Sequence, residues 1–311
     1  MKKILTIFVI IFMFISSAYA DKILKSGFIN KKIKILSNQN IDNPENKIVI
    51  IYNHGQNKHD APIKNECAWL NNLNNTTSLI GKKIKDKEIM VYNFCTNHFA
   101  GDDYKRIWNK KKFKPPYKGV SKLEKRLSAN LDLIEKFIQI GVPKNQIFIT
   151  GHSCGGWMTM MFLAKHPDKV GGGISYMQAC YGKLTKETKV KKIGIEKALK
   201  KFRKKEGDGP ADLRKSQIDA ILKSKNLPAL VFTHPKDPYD GLLSDWVEDI
   251  PGVERIVISN DKKVNGKKCY RSGVNNGKPW KDEIKNYHYI NWADCFQFYN
   301  PTILKFIESR I

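Results

Sequence analysis

The sequence predicts an α/β chain folded around a doubly wound, mainly parallel β-sheet. Three observations carry that expectation. Short runs rich in β-branched and aromatic residues recur at 48–52 (IVIIY), 147–150 (IFIT) and 227–232 (LPALVF), and such continuous apolar runs mark strands covered on both faces. Between the first two, Leu123, Leu127, Leu131, Ile134 and Ile138 recur at helical spacing, so strand, helix and strand alternate as a parallel sheet requires. Residues 146–167 then read as a strand, a glycine-bracketed serine and an apolar, Met-rich helix ending before Pro167.

Taken in order, Lys2 and Lys3 precede an apolar run from 4 to 15, and Ala18-Tyr19-Ala20 offers a small-x-small cleavage site. Residues 1–20 therefore read as a secretory signal peptide, leaving 21–311 as the mature domain. That places the protein outside the cell or in a periplasm. No later run is long and apolar enough to span a bilayer. Partial alternation over 28–37 predicts an early strand or hairpin, broken by Asn43-Pro44. The central strand 48–52 ends in Asn53-His54-Gly55-Gln56. A helix is expected over 67–73, a strand over 88–95, and an irregular basic loop containing Pro115-Pro116 over 96–120.

Ser121 and Glu124 form a capping box for the helix that follows, and Gly141 suits its C′ position. Beyond the serine-bearing turn, residues 170–177 predict a strand softened by Gly171, Gly172 and Gly173. Residues 182–226 carry 15 Lys and Arg against 6 Asp and Glu, a segment charge of +9. Strands over 227–234 and 255–259 follow. A polar detour of Lys, Asn and Gly then separates the last strand from His288 and a closing helix near 302–311.

The sequence Gly151-His152-Ser153-Cys154-Gly155 carries the chemistry. A serine at the tip of a strand-to-helix turn is held in a strained backbone conformation, and side chains two positions to either side would collide. Gly151 and Gly155 remove them, and Gly156 lets the helix approach the sheet. The helix N-terminus then points its N–H groups and positive dipole end at the serine. Without its flanks the pattern would be no more than a glycine-rich turn. Placed between a strand and a helix, it reads as a nucleophile elbow.

With this motif the chain resembles the α/β-hydrolase superfamily over about residues 45–311, closest to its dienelactone-hydrolase-like and esterase- or peptidase-like members. The resemblance implies Ser153 as nucleophile. It places the acid at the exit of the strand before Pro235, where Asp237 stands four residues after Thr233 and Asp240 is the reserve. It implies His288 as base, since no other histidine follows the acid, although the polar detour departs from the usual spacing and a packing role among Tyr287 and Tyr289 is the alternative. Ser153, Asp237 and His288 then follow the chain order of the superfamily. A His-Gly after the central strand implies an oxyanion hole made by the backbone N–H groups of Gln56 and Cys154. Residues 182–226 occupy the place of a helical cap, or else form a solvated excursion.

The activity so implied is hydrolysis of carboxylic esters through an acyl-enzyme, with a serine peptidase or a silent fold binding anionic polymer or envelope as alternatives. The expected substrate is a small-molecule or lipid-like ester, and the formal charge of +25, or +23 without Lys2 and Lys3, favours an anionic one. The chemistry needs no cofactor. Cys-x-x-Cys and clustered-His spacings are absent, so no metal site is expected, and without a nucleic-acid motif the lysine-rich composition does not point to DNA or RNA. Six cysteines in an exported chain predict disulfides, with 15 possible connectivities. Topology favours Cys154–Cys180, because both follow neighbouring parallel strands on one rim. Cys67–Cys95 and Cys269–Cys295 would complete the set.

Overall fold

The structure is a computed structural model that describes residues 26–55, 74–95, 122–180, 190–235, 237, 239, 247–258, 263–264, 267–268, 270–275, 278–283 and 287–311. The expected signal peptide, the helix over 67–73, the loop over 96–120, the capping residue Ser121, and Gln56, Asp240, Cys67 and Cys269 lie outside these.

Eight strands form the main sheet: β1 (Gly27–Ile29), β2 (Lys47–Asn53), β3 (Lys83–Ile84), β4 (Lys87–Phe94), β5 (Ile147–His152), β6 (Gly172–Tyr176), β7 (Ala229–Thr233) and β8 (Val253–Val257). The order is β1-β4-β2-β5-β6-β7-β8, with β3 paired to β4. Every pairing from β4 to β8 is parallel, and only β1 and β3 run antiparallel, both against β4. The expected strand over 28–37 is shorter than its pattern suggested. It is β1, closed as a hairpin by an antiparallel bridge between Ile29 and Ile35.

The apolar runs behave as doubly covered strands. Val49, Ile51, Ile147, Ile149, Ala229 and Val231 face one core, whereas Ile48, Ile50, Tyr52, Phe148, Leu230 and Phe232 face the other. Period-two alternation within a run that is apolar throughout produces this division. On the first face lie α2 (Lys122–Gln139), α3 (Cys154–Lys165), α4 (Val190–Glu206) and α5 (Asp208–Leu222). On the second lie the short α1 (Asn74–Thr77) and α6 (Asn300–Glu308). This is a doubly wound α/β sheet in the arrangement of the α/β-hydrolase fold.

Helix α2 ends in a Schellman motif. The N–H of Gly141, at φ 102°, donates to Ile138 O, and the N–H of Val142 donates to Phe137 O. Strand order reverses between β2 and β5, since the chain passes from β2 outward to β4 and returns through α2 to β5. The carboxyl ends of strands at such a switch point are where open α/β sheets place their ligands.

Two segments that the sequence left open take definite form where they are described. The 182–226 insertion is not a solvated excursion where it is described, because Ala198, Leu199, Phe202, Ala211, Ile218 and Ile221 join the first core. The polar detour is also ordered into strands: β9 (Lys263–Val264) pairs with β10 (Lys267–Lys268), and β11 (Tyr270–Asn275) with β12 (Lys278–Glu283), both antiparallel. Among the described residues no helix is long and apolar enough to cross a membrane.

Candidate active site

Ser153 stands between β5 and α3 with φ 57° and ψ −121°, a conformation L-residues rarely adopt. Sheet and helix hold it there. A methyl at Gly151 would come within 2.4 Å of the Gly155 backbone and 2.6 Å of Asn53 O, and one at Gly155 would reach 2.0 Å from Asn53 O. Both obstacles are backbone, so neither can swing aside. The turn is therefore wedged against the end of β2 as well as against itself. Gly155→Ala is expected to destabilise the fold by about 3 kcal/mol or more, above the usual overpacking loss because no side chain can yield. Denaturant unfolding of the variant measures this directly.

Three of the sequence-predicted residues meet at this turn although they are far apart in the chain. His288, in the 3₁₀ stretch Tyr287–Trp292 that follows β12, places Nε2 2.9 Å from Ser153 Oγ. Its Nδ1 lies 2.8 Å and 3.0 Å from the two carboxylate oxygens of Asp237. Asp237 follows β7, and its Oδ1 also accepts the N–H of Tyr239 at 2.8 Å. The turn-forming tendency of an Asp-Pro step and the bond to imidazole are thus served by the same carboxylate. Both partners are buried. An acceptor at Nδ1 fixes the proton on that nitrogen and leaves Nε2 able to accept from the serine hydroxyl.

Two further histidines border this line. Gly151-His152 ends β5, and His152 Nε2 donates to the backbone carbonyl of His288 at 2.7 Å while its ring packs 4.8 Å from the His288 ring. Burial, then the neighbouring His288, lowers its pKa well below the ordinary imidazole value. His54, at the exit of β2, bonds through Nδ1 to Gly55 O at 2.8 Å. Burial and then the Arg126 guanidinium push its pKa down to about 3.

The sequence signals did not single out α2 as a support for this loop. Arg126 Nη2 donates to His54 O at 2.8 Å, and Asn130 exchanges side-chain hydrogen bonds with Asn53 at 3.0 Å and 3.1 Å. A methyl at Gly55 would stand 3.2 Å from Ser153 Cβ, so the exit of β2 lies alongside the elbow. Of the two amides expected to make an oxyanion hole, that of Cys154 heads α3, where helix geometry and dipole favour a negative charge. Gln56 is outside the described residues. Cys154 is bridged to Cys180, as topology suggested. Cys95 and Cys295 are also disulfide-bonded, and the partners expected for them, Cys67 and Cys269, fall outside the described residues. Among the described residues no group of three or more His, Cys, Asp or Glu side chains could hold a metal ion.

The buried neutral histidines give stability a defined pH dependence. In the unfolded chain each takes up a proton as pH falls through about 6.5, whereas native His54 resists protonation down to about 3. The unfolded state therefore binds more protons in that window, and stability falls as pH falls. From pH 7.5 to 4.5 the loss attributable to His54 is about 3 kcal/mol, and His152 adds to it in the same direction. Chemical denaturation at the two pH values should show the drop, and His54→Gln should reduce it.

No family model matches the chain, and no curated protein matches it. Among solved structures it is similar to a thermostable carboxylesterase cloned from a metagenomic library, at 12 % identity over 92 % of this chain and 88 % of that one, with a TM-score of 0.49. It is similar to an esterase of the fungus Rhizomucor miehei (13 % identity, 86 % of this chain and 77 % of the other, TM-score 0.47). An esterase of Pyrobaculum calidifontis gives 16 % identity over 86 % and 78 %, with a TM-score of 0.47. Strand order and the elbow turn, rather than these distant similarities, carry the fold assignment.

Proposed function

We propose that the protein is an exported serine hydrolase that cleaves carboxylic esters, with Ser153 as nucleophile, His288 as general base and then acid, and Asp237 as the carboxylate that orients it. The single observation supporting this most strongly is the unbroken hydrogen-bonded line from Asp237 through His288 to Ser153 Oγ. In the first step Nε2 takes the hydroxyl proton as Oγ attacks the ester carbonyl. The tetrahedral oxyanion accepts hydrogen bonds from the Cys154 amide and, on the superfamily resemblance, from that of Gln56. His288 returns the proton to the departing alkoxide, and water repeats the sequence to release the acid. Each such donor lowers the barrier by about 3–4 kcal/mol.

Export is supported by the N-terminal pattern of residues 1–20 and by the disulfides, which persist in oxidising compartments. The substrate we infer is a small or lipid-like ester carrying negative charge. Support for the charge comes from α4, whose apolar face is buried while Lys197, Lys200, Lys201 and Lys204 are exposed on the opposite side. A fluorophosphonate probe should modify Ser153 and no other serine, with loss of ester turnover in step. A screen of neutral and anionic esters beside peptide amides then separates esterase from peptidase. An unmodified Ser153 in folded protein, with no ester cleaved, would refute the hydrolase reading.

A further inference from the structure

Among the described residues, the loop leaving β6 makes three hydrogen-bond contacts with Ser153. The Ser153 N–H donates to Tyr176 O at 3.0 Å, its carbonyl accepts the Ala179 N–H at 3.2 Å, and its hydroxyl reaches Ala179 O at 3.3 Å. Backbone donor, backbone acceptor and side chain of this one residue are thus all bonded to a four-residue stretch. The loop is itself bent, with Met177 at φ 40° and its N–H bonded to Phe232 O of β7. The very next residue on each side, Cys154 and Cys180, is joined to the other by the disulfide, with Cα atoms 4.5 Å apart. The carbonyl of Cys180 accepts a hydrogen bond from Arg214 of α5. That buried guanidinium lies between Trp157 of α3 and Phe202 of α4, 5.2 Å and 5.6 Å from the ring centres. Trp157 in turn donates through Nε1 to Gln217 of α5 at 2.9 Å.

From this arrangement we infer that the Cys154–Cys180 bridge is a positioning device for the nucleophile, and that hydrolytic turnover is switched on when the bridge closes. The inference rests on the serine-hydrolase reading and adds its regulation. The hydroxyl has one proton and two acceptors facing it, His288 Nε2 at 2.9 Å and Ala179 O at 3.3 Å. The proton can serve only one of them, the Ala179 carbonyl competing with Nε2 for it, so a shift of the loop against the elbow changes which acceptor receives it; the register is set by the backbone bonds of Ser153 to Tyr176 and Ala179. The bridge also fixes the residue whose amide heads α3 and faces the developing oxyanion. With thiols in place of the disulfide, only replaceable hydrogen bonds would keep loop and elbow in register, and a displacement of about 1 Å at a reacting atom is worth about 10²-fold in rate.

Both sulfurs belong to buried residues, so oxidation belongs to folding, and the finished bridge is shielded from thiols in the medium. Closure is a two-electron exchange. Two cysteine thiols lose two protons and two electrons to a disulfide-bearing oxidant, which leaves as two thiols, and the S–S bond forms by thiolate attack through a mixed disulfide. A chain folded in a reducing compartment would hold its serine misaligned, and export to an oxidising one would complete the site.

The test uses the full mature chain and a soluble short-chain ester. The Cys154→Ser/Cys180→Ser double variant is expected to keep its far-UV circular dichroism while kcat falls about 10²-fold, with KM little changed, because alignment rather than binding is lost. Wild-type protein refolded in dithiothreitol should show the same loss and regain activity on transfer to oxidised glutathione, whereas the double variant should not. Should the variant fail to fold, wild type refolded in a graded series of glutathione redox buffers, then alkylated and peptide-mapped, gives the fraction of bridge open at each level of activity. Activity falling in proportion to opening of this bridge supports the inference. Full kcat with the bridge open, by either route, overturns it and leaves the hydrolase reading standing. Oxidised wild type that neither cleaves esters nor reacts with a phosphonate overturns both.

Discussion

Replacing Ser153 with alanine should reduce ester turnover by about 10⁶-fold, the scale on which serine hydrolases lose kcat when the nucleophile is removed. The fold should survive. Alanine at φ 57° carries the same Cβ strain as serine, and the backbone bonds of residue 153 to Tyr176 and Ala179 involve no side-chain atom. What is lost is the contact of Oγ with Nε2 and the weaker one with Ala179 O, so stability should change by about 1 kcal/mol or less. Turnover measured against the matched wild type, beside circular dichroism and thermal unfolding, checks both halves. Residual catalysis from the oxyanion amides and substrate binding should remain above the rate in water. A Ser153→Ala protein working within tenfold of wild type would mean that some other group attacks the carbonyl.

The parts of this molecule that were legible in its sequence are those where burial imposes a pattern. β2, β5 and β7 show as apolar runs because helices cover both faces of the sheet. The elbow shows because two of its positions tolerate no Cβ, which restricts them to glycine. The Cys154–Cys180 pairing could be reached because adjacent parallel strands end on one rim. What stayed hidden depends on contacts between distant residues. Arg126 and Arg214 are buried whereas Lys136 and Lys215 of the same helices are not, and nothing in their spacing marks them as buried; the His54 and Cys180 carbonyls they reach lie far away in the chain. The β11–β12 hairpin is mostly polar, with Tyr270, Val274 and Trp280 too sparse to give a sustained alternation, and its pairing is visible in the register. His152 could be read as structural but not as the residue that ties down the His288 backbone, since 136 positions separate the two.

The second large effect belongs to Asp237, and its direction follows from which oxygen does what. Oδ1 accepts both the Tyr239 N–H and, at 3.0 Å, His288 Nδ1, while Oδ2 lies nearer to Nδ1 at 2.8 Å. An asparagine must place its carbonyl oxygen towards the Tyr239 amide, because an NH₂ there would meet another donor. Its NH₂ group then occupies the Oδ2 position and faces Nδ1. A donor at that point stabilises the tautomer protonated on Nε2, which cannot accept the proton of Ser153. Asp237→Asn is therefore expected to lower kcat by about 10⁴-fold with the three side chains still in place, the size seen when a triad carboxylate becomes an amide of the same shape. Asp237→Ala removes the orienting group without imposing the wrong tautomer, so it should be impaired through loss of imidazole alignment instead. The ¹⁵N shifts of the His288 ring separate these causes: the asparagine variant should report the proton on Nε2, and wild type should report it on Nδ1. An asparagine variant with a wild-type tautomer and wild-type kcat would show that the carboxylate serves the turn at Tyr239 and not the chemistry at Ser153.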